Sequence, residues 1–267
     1  MRELRICPVT GRTVVINEGW WASPGPLSPP PTPCPVCSFS HPPIAQADGL
    51  RVLPHPNPAL GIEGNPKPHT ELGQVRMEAV GAHELIFGDH RGIDHAAALR
   101  LGRQRIQDLR RDSRLRGFRL ACRLIPGHHP LWQLWAFPFE LRPSAPAGWR
   151  DQQVEAGKHV VARGPGAVAL LAWAPRVPFE LWLMPERGRT SFEAEDPSAV
   201  ARLLAEVLPR VQRAVGAVPL DLVVEEGEPW RLEILPLLPN DSLLHAATGF
   251  PVHGTSPEAA LQFLRQR

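Results

Sequence analysis

The sequence carries the same pattern twice, and this constrains the fold more than any single motif. Trp132 and Trp230 lie 98 residues apart, as do Pro138 and Pro236; Glu84 and Glu180 lie 96 apart. The first copy has a strand-like run, His83-Glu84-Leu85-Ile86-Phe87. A helix is expected at about 93–112, with Ala97, Leu101 and Ile106 on one side. Strands are expected at 118–125 and 131–137. The second copy opens with Phe179-Glu180-Leu181-Trp182-Leu183. Its helix begins at Asp196-Pro197, which suits an N-cap followed by a first-turn proline. Val200, Leu203, Leu204, Val207, Leu208, Val211 and Val215 recur at helical spacing, Pro209 predicts a kink, and Gly216 is the expected stop. Strands at 220–224 and 230–235 complete it, with Trp230, Leu232 and Ile234 alternating against Arg231, Glu233 and Leu235. Short apolar strings can match by chance, but an internal duplication accounts for the matches more economically. The expected fold is α+β: two antiparallel strand–helix–strand–strand units, at 1–150 and 151–267.

Composition removes several classes of function. The 29 basic and 27 acidic residues leave a net charge of +2, which gives no reason to expect a nucleic-acid or bulk-membrane partner. No apolar run reaches the roughly 18 residues needed to span a bilayer. The opening MRELRICPVT lacks the apolar core of a secretory signal, so a cytoplasmic location is expected. All but two of the basic residues (Lys67 and Lys158) are arginine, there are 32 prolines, and tyrosine is absent. A GC-rich genome produces this bias without any help from function.

Four cysteines (Cys7, Cys34, Cys37, Cys122) are too few for a disulfide scaffold of 267 residues. Cys34 sits in, and Cys37 just beyond, a proline-rich stretch, 24–35, which cannot be a helix or a central strand. A second irregular stretch runs over 55–69. By itself Cys34-Pro35-Val36-Cys37 fits a redox pair, half a zinc site or two buried cysteines. Its prolines argue against a redox pair opening a helix. Zinc takes four sulfur or imidazole ligands in a tetrahedron. His90, just beyond the first strand of copy one, and His129, just ahead of its last, are where antiparallel strand ends can meet one loop. The competing reading is that both histidines are ordinary solvent-facing loop residues.

Together these residues resemble the galactose-1-phosphate uridylyltransferase family of the histidine-triad superfamily. Arg5-Ile6-Cys7-Pro8-Val9-Thr10-Gly11-Arg12 is similar to its opening R-x-D-P-x-T-G-R. Cys34-Pro35-Val36-Cys37 is similar to its C-P-F-C, and Arg51-Val52-Leu53-Pro54 with Asn57-Pro58-Ala59-Leu60 to the segment ending F-P-A-L. His83-Glu84-Leu85-Ile86 with Asp89-His90 is similar to H-E-V-I and the histidine after it. Leu232-Glu233-Ile234-Leu235-Pro236 with Thr248-Gly249-Phe250 is similar to the end of the second half. These points run in order over nearly the whole chain. The resemblance implies tandem histidine-triad-like units, a closed structural zinc on Cys34, Cys37, His90 and His129, and a UDP-sugar or other nucleotide as ligand. It also implies galactose metabolism and a homodimer, although no surface pattern in the sequence speaks for the dimer.

The chemistry departs from that pattern. The family reads H-P-H-x-Q, where the first histidine binds zinc and the second attacks the α-phosphorus of a UDP-sugar. Here the stretch is His128-His129-Pro130-Leu131-Trp132-Gln133. His129, four before Gln133, takes the zinc position, so Leu131 takes the nucleophile position. Leucine has no lone pair to form a covalent adduct. Only a shifted strand would bring His128 into use. The preceding Cys122-Arg123-Leu124-Ile125-Pro126-Gly127 has one glycine and no serine with which to cradle phosphate, and Pro126 lacks an amide donor. Trp230-Arg231-Leu232-Glu233 carries no histidine, so no second metal is expected. Gln133 matches the glutamine that contacts nucleotide phosphate in relatives; alternatively it is a plain strand residue. The expectation is a uridylyltransferase-like nucleotidyltransferase without its nucleophile, a possible pseudoenzyme. The alternative is a non-catalytic zinc-containing relative that binds a nucleotide or a protein. Trp132, Trp135, Trp173, Trp182 and Trp230 would then form either an aromatic cleft or part of the core.

Overall fold

The structure is a computed structural model. It describes residues 2–7, 9, 13–17, 32–34, 36–71, 74–90, 92–141, 148–188, 190–238 and 242–265. Most of the proline-rich stretch, and Pro8 and Thr10 to Arg12 of the opening motif, lie outside the described residues. The strands are β1 (Arg2–Ile6), β2 (Thr13–Asn17), β3 (Ala45–Ala47), β4 (Leu50–Pro54), β5 (His69–Glu71), β6 (Gln74–Glu78) and β7 (Ala82–Phe87). Then come α1 (His95–Leu109), β8 (Gly117–Leu124), β9 (Trp132–Phe137), α2 (Trp149–Ala156), β10 (Val160–Gly164), β11 (Ala167–Leu171) and β12 (Leu181–Pro185). The chain ends with α3 (Ser198–Val215), β13 (Leu220–Glu225), β14 (Arg231–Pro236), α4 (Leu243–Thr248) and α5 (Pro257–Arg265).

The protein is α+β. A ten-stranded sheet has the order β10-β11-β12-β14-β13-β8-β9-β7-β4-β3, and a four-stranded sheet the order β2-β1-β6-β5. Each half contributes five neighbouring strands to the large sheet, and the halves meet where β8 pairs antiparallel with β13, Cys122 opposite Leu222. The amphipathic helices α1 and α3 cover one face. α1 buries Ala97, Leu101 and Ile106, and α3 buries Val200, Leu203, Leu204, Val207 and Val211. Asp94 caps α1 by accepting from the amides of Ala96 and Ala97 at 2.8 and 3.2 Å. The sheet's other face is open over its centre, and the candidate site lies there.

Three local expectations need correction. Phe179 is in a turn with φ of 63° rather than in a strand; β12 starts two residues later. α3 starts at Ser198 with Pro197 as its cap residue, although the Asp196 carboxylate still accepts from the Ser198 amide at 3.1 Å. The matched Glu84 and Glu180 are not equivalent in space. Glu84 opposes Leu134 and faces α1, where Arg105 holds it with two hydrogen bonds of 2.9 and 3.0 Å. Glu180 accepts from the Trp182 indole on the opposite face, at 2.8 Å. If Trp132 and Trp230 correspond, Leu232 stands for Leu134, and its ladder partner is Leu183. The repeat is thus kept in element order, and the register of its first strand has slipped.

Candidate metal centre and the open face of the sheet

β7 and β9 are antiparallel neighbours with Ile86 opposite Trp132, so the end of one meets the beginning of the other. His90 lies three residues beyond β7, and His129 three ahead of β9. The Cys34–Cys37 turn is docked above them through Val36, which packs with Leu53, Leu85 and Phe87. Phe39 adds an edge-on contact to Phe87, with ring centroids 6.1 Å apart. The turn is closed by the Phe39 amide donating to the Val36 carbonyl at 3.3 Å and the Ser38 hydroxyl donating to the Cys34 carbonyl at 3.1 Å.

One donor atom from each of Cys34, Cys37, His90 and His129 falls in a group spanning no more than 4.8 Å. Nδ1 of His129 is 3.6 Å from Cys34 Sγ and 3.4 Å from Cys37 Sγ, and Nδ1 of His90 is 3.6 Å from Cys37 Sγ. Zinc–sulfur and zinc–nitrogen bonds of about 2.3 and 2.0 Å at a tetrahedral angle set a sulfur–nitrogen edge of about 3.5 Å. The cluster therefore has the donor set of a four-coordinate metal site, and these three sulfur–nitrogen distances are close to its edge length. Charge points the same way. Burial, and then the neighbouring His90, lower the His129 pKa and keep its imidazole neutral, the form that donates a lone pair. Local desolvation, then the hydrogen bond and charge of Cys34, raise the Cys37 thiol pKa. Cys37 is exposed, so the adjacent sulfur is the more telling cause, and a cation between the two sulfurs would relieve it.

Leu131 lies immediately before β9 and packs against the same apolar cluster, as Cys34 and Phe39 also do. Cross-strand partners share a face, which sets the rest of the open surface. Gln133 stands between Ala121 on β8 and Leu85 on β7, and Trp135 between Arg119 and His83. Ala121 opposes Val223, Val223 opposes Glu233, and Glu233 opposes Trp182. Arg119 pairs with Glu225 and Arg123 with Asp221, both at 2.7 Å, tying the halves together across this face. His128 folds back on its own turn, with Nδ1 3.3 Å from the Pro126 carbonyl.

The five tryptophans form no single cleft. Trp132 and Trp230 are fully buried on the helix-bearing side, Trp135 and Trp182 lie on the open side, and Trp173 is 66% exposed. The core reading holds for the first two, because the strand pleat sends alternate residues to opposite faces.

Several polar contacts are not visible in the sequence. His83 is buried, with Nε2 3.0 Å from Gln133 Oε1, and its ring stacks on His55 at 4.1 Å and on Trp135 at 5.1 Å. Burial, and then His55, push its pKa down to about 4. The Trp132 indole donates to His95 Nδ1 at 3.2 Å, and burial likewise holds His95 at about 4. In the second half Glu180 and Glu233 are almost fully buried and are met by Arg176 and Arg231. An alternating pattern assigns Glu233 to solvent; only its arginine neighbours hint otherwise.

No known family profile matches the chain, and no curated protein matches it. Solved structures do. A uridylyltransferase is 16% identical, covering 99% of this chain and 97% of its own, with a TM-score of 0.73. A GALT-like protein from Arabidopsis thaliana is 21% identical, covering 100% and 99%, with a TM-score of 0.67. An ADP-glucose phosphorylase from the same plant, solved with bound ADP-glucose, is 18% identical over 100% and 99%, with a TM-score of 0.63. At such identities the likeness is one of fold, and it extends end to end. The chain has the fold of the galactose-1-phosphate uridylyltransferase-like proteins over its whole length.

Proposed function

We propose that this protein is a zinc-holding, uridylyltransferase-like chain of two units, 1–150 and 151–267, that takes a UDP-sugar or another nucleotide on the open sheet face, with covalent uridylyl transfer impaired. The observation that carries this reading is Leu131. It stands two residues before Gln133, packed against the apolar cluster of Val36, Leu53, Leu85 and Phe87, with a hydrocarbon side chain where an attacking imidazole would have to be. Cys34, Cys37, His90 and His129 would hold the zinc. With all four positions taken by protein the ion would be structural, pinning the Cys34–Cys37 turn to the ends of β7 and β9. Losing a covalent nucleophile typically costs several orders of magnitude in rate.

Binding without chemistry is the second reading, and the apolar packing around Leu131 favours it. Uridylyl exchange between UDP-glucose and galactose-1-phosphate tests the loss of transfer that both readings share. Turnover no higher than in a His128→Ala, His129→Ala control supports the impaired site, whereas robust exchange refutes it. Calorimetric titrations with UDP-glucose, UMP and ATP then test binding. Heat on at least one titration supports a nucleotide site, and flat traces on all three leave a role through a protein partner.

A further inference from the structure

We infer that His83 is a positioning residue: it fixes the Gln133 side-chain amide with its oxygen inward, so that the NH2 end is presented at the open sheet face as a donor to an acceptor-bearing ligand such as a phosphoryl group. This deepens the nucleotide reading of that face and rests on it for the ligand's identity.

The backbone amide of Ala59 donates to His83 Nδ1 at 3.2 Å. A backbone amide can only donate, so Nδ1 must carry a lone pair. The buried ring is neutral near pH 7, and its one proton is therefore on Nε2. Nε2–H donates to Gln133 across 3.0 Å, and only the oxygen end of the glutamine amide can accept it. The amide's orientation is thus set by chemistry, through a histidine whose tautomer is set by the chain's own backbone. His55 is held in the same way, its Nδ1 accepting from the Asn57 amide at 3.1 Å. The near-parallel stack of His55, His83 and Trp135 keeps the His83 ring from rotating. On the other side of Gln133 the methyl group of Ala121 offers no competing polar partner. Phosphoryl oxygens only accept hydrogen bonds. A glutamine flipped the other way would meet them with a lone pair, and one free to rotate would lose entropy on binding.

Three measurements test the assignment. Two-bond proton–nitrogen correlation spectra of the protein labelled in histidine report which nitrogen of His83 is protonated; Nε2 is expected at pH 7. Glutamine side-chain amide signals in a His83→Phe variant, which keeps a ring in the stack, are expected to show Gln133 released from its fixed orientation. Titration with UMP provides the third. His83→Phe and Gln133→Ala are each expected to weaken binding about 5- to 10-fold, the worth of one hydrogen bond. Because both act through one donor, the double variant should be no weaker than the weaker single. Gln133→Glu keeps an acceptor for His83 but removes the donor. It should leave the His83 tautomer unchanged and lose UMP binding, which covers the case in which His83→Phe does not fold. Protonation of Nδ1, an unchanged Gln133 amide in His83→Phe, or effects that multiply in the double variant would each overturn the assignment. If the parent protein binds none of UMP, UDP-glucose and ATP, the nucleotide reading falls, and the tautomer and amide signals still decide the role of His83.

Discussion

Histidine does two different jobs in this chain, and burial with partners decides which. His90 and His129 turn Nδ1 toward sulfur. His83 and His95 are kept neutral by burial, each with Nδ1 taken by an N–H donor that cannot be deprotonated at working pH: the Ala59 amide for one and the Trp132 indole for the other. Both pKa values are pushed from the ordinary 6.5 down to about 4. Unfolding returns these rings to water, so the unfolded chain binds more protons between pH 6.5 and 4. Stability is therefore full above about 6.5 and declines as the pH falls toward 4. The upper bound is about 3 kcal/mol for each ring. Urea unfolding at stepped pH should show this decline, and His83→Phe should flatten part of it. A stability independent of pH in that window would mean that the rings are solvated.

At the scale of elements, the buried ion pair between Glu84 on β7 and Arg105 on α1 clamps the first helix to its sheet; both side chains are largely shielded. Removing the cation alone leaves a carboxylate without its partner in a poor solvent for charge. Arg105→Met should cost about 3–5 kcal/mol in denaturant unfolding, and Glu84→Leu added to it should recover most of the loss. A cost below about 1 kcal/mol for the single variant would show the pair to be solvent-screened. The elements legible in the sequence are those with one wet and one dry side. α1, α3 and the β8–β9 and β13–β14 hairpins follow their periodicities to within a few residues. β11 is buried on both faces, so it does not alternate and is not foreseen; of the small sheet only β2 shows in the sequence, as the strand-like run Thr13-Val14-Val15-Ile16. β7 is buried throughout, which hid the separate roles of His83 and Glu84 on its two faces. The four candidate metal ligands were findable because a Cys-x-x-Cys turn and two strand-end histidines are local signals. The bond from His83 to Gln133, which joins two strands, left no mark in either string.

The whole molecule is organised around one seam. A single apolar cluster runs from Leu99 on α1 through Leu120, Cys122, Leu222 and Val224 to Leu204 on α3. With a shared core and a continuous sheet, the halves should unfold together: tryptophan fluorescence and far-ultraviolet circular dichroism should give superimposable urea transitions. Two separated transitions would indicate units that are stable alone. The same continuity places the candidate metal centre, Leu131 and Gln133 on one face of one sheet, and this underlies the central claim that the His129 imidazole holds an ion while the aliphatic Leu131 stands where the chemistry would need a free imidazole. A native mass spectrum of the protein incubated with UDP-glucose tests that claim most directly. The account predicts a mass corresponding to one retained zinc ion and no covalent uridylyl group. A uridylyl adduct, or a chain carrying no metal, would contradict it.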